Sequence, residues 1–262
     1  MPKNYKLWKV RDASDKDYIH KDETIPDAPV RALVLGRSQL SGKSSLIFNY
    51  LCRDDLMKNY YDPENIYIVS QSLDTDPKLN TMINYLEIPR TNCFGFYDEG
   101  LIEKIYEEVR EIYLEGKSRK KTIHSCIIID DCSFGNNFTS RKSGIVARIF
   151  QNGRHVCCSC WLSAQHYSDI PTAVRNNATA CYIFQMNRRQ TDAIVEDHSY
   201  IDPKIFKKKF IETTSEPHSF MFINYNNALP KRYLDSNFKF INMSEDEKKE
   251  EKKKKKKPQN KV

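Results

Sequence analysis

Short apolar runs alternate with longer amphipathic stretches along most of this chain. Seven runs rich in β-branched, aromatic and cysteine residues stand out: 31–35 (RALVL), 65–70 (NIYIVS), 93–97 (CFGFY), 125–130 (SCIIID), 156–163 (VCCSCWLS), 178–185 (ATACYIFQ) and 219–225 (SFMFINY). Between them the apolar spacing changes to that of a helix. The stretch 44–57 (SSLIFNYLCRDDLM) puts Leu46, Ile47, Tyr50 and Leu51 on one face. The stretch 101–115 (LIEKIYEEVREIYLE) does the same with Leu101, Ile105, Val109 and Ile112, and turns Glu and Lys outward. Continuous apolar strands alternating with amphipathic helices predict an α/β fold with a mostly parallel central sheet, flanked by helices on both faces. Residues 1–28 are polar and charged, with Pro26 and Pro29 near their end, and read as an extended or loosely packed arm. Residues 29–244 read as one domain. Residues 245–262 are low-complexity and lysine-rich, and are expected to be disordered.

Charge changes this picture only at the end of the chain. The net charge is +7, but the tail at 245–262 holds nine lysines against five acids and so carries +4. The remaining +3 is nearly balanced, so a basic groove on the body has to come from arrangement rather than excess. The tail reads either as a solvated solubility segment or as a salt-sensitive tether to DNA or a partner. No apolar run reaches the length of a membrane span, and the start lacks the apolar core of a signal peptide, which predicts a soluble, intracellular protein. Of the eight cysteines, Cys126, Cys157, Cys158, Cys160 and Cys181 fall inside the apolar runs. Buried free thiols are the expectation, rather than disulfides or zinc.

The candidate chemistry begins at 36–45, GRSQLSGKSS. A nucleotide-binding loop has the form G-x-x-x-x-G-K-[ST], a turn whose backbone N–H groups surround phosphates. Gly42, Lys43 and Ser44 fit, whereas Arg37 takes the place of the first glycine and Gly36 stands one position early. The setting supports the motif, because a buried strand precedes it and an amphipathic helix follows, so a helix N-terminus faces the phosphates. Gly36, Ser38, Gln39, Leu40, Ser41, Gly42, Lys43, Ser44 and Ser45 are therefore expected to surround a nucleotide. In this arrangement Lys43 reaches the β- and γ-phosphates and the Ser44 hydroxyl holds Mg2+.

The run 126–131 (CIIIDD) ends in two carboxylates, Asp130 and Asp131. After a buried strand such a pair suits Mg2+ (Asp130) and polarisation of an attacking water (Asp131). Gln165 lies just past the run at 156–163, at the carboxyl edge where open sheets bind ligands, and a sensor role is assigned to it. His166 reads as a loop residue.

The series GKS, IIIDD, NGRH, AQHYSDIP and VRNNAT, in that order over about residues 28–225, resembles the poxvirus-type DNA-packaging ATPases of the FtsK–HerA superfamily, found in large DNA viruses and virophages. The resemblance implies a RecA-like P-loop NTPase that uses ATP and Mg2+ and forms a homo-oligomeric ring around double-stranded DNA. It further implies a capsid partner and a place in the virion or the host-cell cytoplasm. Arg154 (in NGRH) and Arg175 (in VRNNAT) are its candidates for an arginine that reaches a neighbouring subunit's nucleotide, both expected near a sheet edge that a neighbour could face. Arg37, Leu40 and an Asp at 131, where many members have Glu, depart from the pattern. Two other functions fit the same motifs: a helicase-like or DNA-segregating ATPase of a cellular element, and a nucleotide-binding scaffold that does not hydrolyse.

Overall fold

The computed structural model describes residues 17–37, 41–131 and 144–243. Eight strands form one sheet: β1 (Arg31–Leu35), β2 (Ile66–Ser70), β3 (Cys93–Phe94), β4 (Ser125–Asp130), β5 (Cys158–Ala164), β6 (Ala180–Phe184), β7 (Phe220–Asn224) and β8 (Tyr233–Leu234). Their order is β3-β2-β4-β5-β1-β6-β7-β8. β3 through β6 in this order are parallel, and only β7 runs against them, pairing antiparallel with β6 on one side and β8 on the other. β1, β2, β4, β5 and β6 are buried between two layers, which is why they read as unbroken apolar runs.

Successive side chains of each strand serve different layers. Val34, Ile128 and Tyr182 pack on one face with α1 (Lys43–Cys52) and α2 (Pro77–Tyr85). Leu35, Ile127 and Ile183 pack on the other with α3 (Glu99–Ser118), α4 (Ile145–Asn152), α6 (Arg188–His198) and α7 (Pro203–Thr213). The short α5 (Thr172–Arg175) lies in the crossover from β5 to β6. All four residues expected on the inner face of α1 are buried, but the helix stops at Cys52. Asp54 and Asp55 would sit at its negative end, which disfavours continuation. The chain turns back there, and the Met57 N–H reaches the Tyr50 carbonyl at 2.9 Å.

The face of α3 is rotated from the expectation. Ile102, Ile105, Tyr106, Val109 and Tyr113 are buried, while Leu101 and Ile112 are half-buried. Tyr106 and Tyr113 supply the larger apolar surface, and that surface sets the rotation. The part of the expected arm that is described, residues 17–28, is packed on the body. Ile25 and Ala28 are buried, Ala28 bridges Ile19, and the Glu23 carbonyl accepts from Asn227 at 2.6 Å. The lysine-rich tail lies outside the described residues. Every described cysteine is free, and burial raises the thiols of Cys126, Cys157, Cys158, Cys160 and Cys181. No described helix is long and apolar enough to cross a membrane.

Candidate nucleotide site

The site lies where β1, β4 and β5 end together. The register pairs Leu35 with Ala164 and Ile129 with Leu162, so the loop after β1, the acids ending β4 and the residues ending β5 share one edge. β5 stands between the other two and touches both.

Gly42 takes a left-handed backbone (φ 86, ψ 27) and opens α1 with no side chain capping it. The first N–H groups of the helix therefore face the cleft without a competing acceptor of their own, the arrangement that receives phosphate. Ser41 Oγ donates to the Arg37 carbonyl at 2.7 Å, which ties the two ends of the loop together. Lys43 Nζ is buried and donates to the Gly36 carbonyl at 2.9 Å. Ser38, Gln39 and Leu40 lie outside the described residues.

The acids connect to this loop. Ser44 Oγ donates to Asp130 Oδ2 at 3.2 Å, and Ser163 Oγ donates to Asp130 Oδ1. The Asp131 N–H donates to the same Ser163 Oγ at 3.1 Å, while Gln165 Nε2 donates to Asp131 Oδ1 at 2.8 Å. Asp131 holds a left-handed φ of 47, a conformation Asp tolerates better than most residues. That bend carries its carboxylate off the strand toward Gln165.

Burial shapes the charges. It raises the Asp130 carboxyl, against the pull of Ser163, Lys43 and Ser44. It lowers the Lys43 ammonium, against the pull of Asp130 and Asp131. Each group is thus held less charged than in water, and a ligand of matching charge would restore it. The Ser44 hydroxyl and the Asp130 carboxylate are hard oxygen donors 3.2 Å apart. That is the donor set Mg2+ takes, with one or two protein oxygens and the rest from water and phosphate.

The cleft has a volume of about 350 Å3. The sequence reading passed over two residues that serve this cleft. Lys78, on the first turn of α2, donates from Nζ to Ser45 Oγ at 3.0 Å and lines the cleft. Ser163 is the other. Its signal was present as a polar residue inside an apolar strand two positions before Gln165. For Lys78 the signal was the helix start in DPKL, where Asp76 caps α2 by accepting from the Lys78 N–H at 2.8 Å.

The two arginines are not at this edge. Arg154 precedes β5 at its opposite end, exposed, and close enough to Arg31 at the start of β1 to depress that guanidinium after burial has done so. Arg175 lies in the return toward the start of β6, four residues before Thr179, whose N–H reaches the Arg31 carbonyl at 2.9 Å. It pairs with Asp197, donates to Thr172 Oγ1 at 3.1 Å and covers the Tyr167 ring at 4.7 Å. Crossovers between parallel strands travel the length of the sheet, and this return carries Arg175 away from Lys43.

Residues 98–223 match the family model described as the poxvirus A32 protein. That segment is 126 residues long, just under half of the chain. The A32 segment contains Asp130, Asp131, Ser163 and Gln165, whereas the Lys43 loop precedes it. Uncharacterized protein 075L of invertebrate iridescent virus 6 is 30% identical over 123 residues. This match spans 46% of each chain, about half the length of that relative. The fold is similar to the genome packaging NTPase B204 of Sulfolobus turreted icosahedral virus 2 in complex with ATP-gammaS. There the TM-score is 0.52 at 19% identity, covering 79% of this chain and 96% of that one. The AMPPCP complex of B204 gives 0.53 at 18% identity, covering 79% and 97%.

Proposed function

We propose that this chain is an ATP hydrolase that drives viral double-stranded DNA into a capsid. The observation that carries the reading is the linked set Lys43, Ser44–Asp130 and Asp131–Gln165 on one sheet edge, beside an uncapped helix N-terminus. The A32 segment and the likeness to B204 support the packaging role. Gly42, Lys43 and the α1 N–H groups hold the phosphates. Ser44 and Asp130 hold Mg2+, which when bound neutralises charge on the β- and γ-phosphoryl oxygens. Asp131, oriented by Gln165, accepts a proton from the attacking water. Lys78 adds a second cation on the rim of the same cleft.

A homo-oligomeric ring around DNA, with a capsid protein as partner, follows from the family reading. In such a ring Arg154 or Arg175 would serve a neighbour's site, and Arg175 would first have to leave Asp197. Steady-state ATP hydrolysis, measured with and without double-stranded DNA, tests the proposal. DNA-stimulated turnover that Lys43→Ala abolishes is expected. Wild-type turnover in Lys43→Ala would remove the loop from the mechanism, and turnover indifferent to DNA would remove the motor. Mixing Lys43→Ala subunits with Arg154→Ala or Arg175→Ala subunits restores activity if one of these arginines acts across an interface.

A further inference from the structure

The cleft around Lys43 does not end at the loop. On the far side of Ser41 lies a second cavity of about 120 Å3, and Ser41 and His218 line both. Its walls include Phe184, Gln185, Glu216 and Pro217. Phe184 is the last residue of β6, and residues 215–219 form the connection from α7 to β7.

The direction of a bound nucleotide is set by the sheet order. Asp130 and Asp131 follow β4, two strands to one side of β1. A triphosphate lying over the α1 N-terminus turns its terminal phosphoryl group toward these acids. Its sugar and base then leave the loop on the opposite side, over β6, where the second cavity opens. We propose that this cavity is a nucleobase slot that selects adenine, an inference that rests on the nucleotide-binding reading above.

The wall chemistry matches that base. The Gln185 amide offers one donor and one acceptor side by side, the pairing a glutamine makes with the N6 and N7 edge of adenine. The Glu216 carboxylate accepts from an exocyclic amino group, and would face a carbonyl oxygen if guanine took the same pose. The His218 imidazole and the Pro217 ring supply flat surfaces against which a base can stack. Gly36 leaves room for this arrangement. A Cβ there would stand 2.4 Å from Ser41 Cβ and 3.0 Å from Phe184 Cβ, pushing together the loop and the slot wall. Arg37 also lines the cavity, and its guanidinium suits guanine O6 and N7. Guanine is therefore the competitor to measure.

Calorimetric binding of ATP, GTP, CTP and inorganic tripolyphosphate to the full chain in Mg2+ tests the slot without requiring turnover. The variants are Gln185→Ala and His218→Asn, the latter because position 218 has a φ of 64, which Asn accepts. ATP should bind at least ~10-fold tighter than tripolyphosphate or CTP, and each variant should erase about a 10-fold share of that gap, the scale of one lost stacking or base contact. Tripolyphosphate binding should be unchanged in Gln185→Ala, whereas His218 also lines the phosphate cleft, so its variant is read as the ratio of ATP to tripolyphosphate affinity. Equal binding of all four ligands would overturn the slot and leave the phosphate site standing. A preference for GTP would overturn the adenine assignment in favour of Arg37. Absence of binding by both ATP and tripolyphosphate would overturn the slot together with the reading beneath it.

Discussion

Ser163 holds two consecutive acids in different postures. Its hydroxyl donates to the Asp130 carboxylate and accepts from the Asp131 N–H, so one oxygen fixes both the candidate metal carboxylate and the bend that presents Asp131. Ser163→Ala keeps the β5 backbone ladder but leaves Asp130 with one fewer donor in a buried site. Outer partners of this kind are worth about 10–100-fold in metal affinity or activity, and Mg2+ titration of ATP turnover should show a loss of that size. Asp131→Asn should separate binding from chemistry. The amide still accepts from Gln165 but cannot take a proton, so nucleotide affinity should persist while turnover falls by about 10²–10⁴-fold. At this scale most of the site was legible, because Lys43, Ser44, Asp130 and Asp131 announce themselves by type and spacing. Ser163 and Lys78 did not, since a buried serine and a helix-start lysine acquire meaning only from what neighbouring strands bring beside them.

Elements decide how such residues meet. β1 exits through Gly36, and the carbonyl there receives Lys43 while Ser41 folds back over it. Gly36→Ala would drive a methyl to 2.4 Å from Ser41 Cβ. Overpacking of this kind costs about 1–3 kcal/mol, so a lowered denaturation midpoint together with weaker nucleotide binding is expected. The strands were readable because burial on both faces makes them apolar throughout. The two-residue β8 was not, since so short a piece has no period, and the end of α1 depended on a pair of acids. The position of Arg154 and Arg175 relative to their own Lys43 loop was hidden for the same reason. Sequence order says that a residue precedes or follows a strand, but a parallel crossover carries it to the other end of the sheet.

Across the whole molecule, a second polar cluster lies on the α6 face, separate from the nucleotide edge. His198 is buried, with Nε2 at 2.8 Å from Tyr167 Oη and Nδ1 bonded to Tyr225 Oη. Tyr167 donates onward to Asp197 at 2.6 Å, and Arg175 pairs with that acid. A neutral ring that donates from Nε2 and accepts at Nδ1 satisfies every contact, whereas protonation would remove the acceptor. Burial accordingly lowers His198 to about 4, with Asp197 opposing and Arg175 adding to the shift. Because the folded value is depressed, the unfolded chain binds the proton first. Stability is intact above about pH 6.5, falls as pH drops toward about 4, and levels off below. The loss from this residue alone reaches roughly 3 kcal/mol. Thermal denaturation between pH 7 and pH 4 should show it, and His198→Gln, which carries no titrating ring, should flatten that slope.

The sheet itself has a consequence for how copies of this molecule can meet. Its outermost strands, β3 and β8, are two residues each, and β8 is further closed by a bridge from Leu234 to Phe240. Stubs of that length give a neighbouring backbone almost nothing to extend, which is how soluble proteins keep their sheets from templating one another. Copies brought to high local concentration can therefore crowd together without zipping into a continuous β-ribbon. Contact between them falls to loops and helix surfaces, which can part and re-form without breaking a backbone ladder.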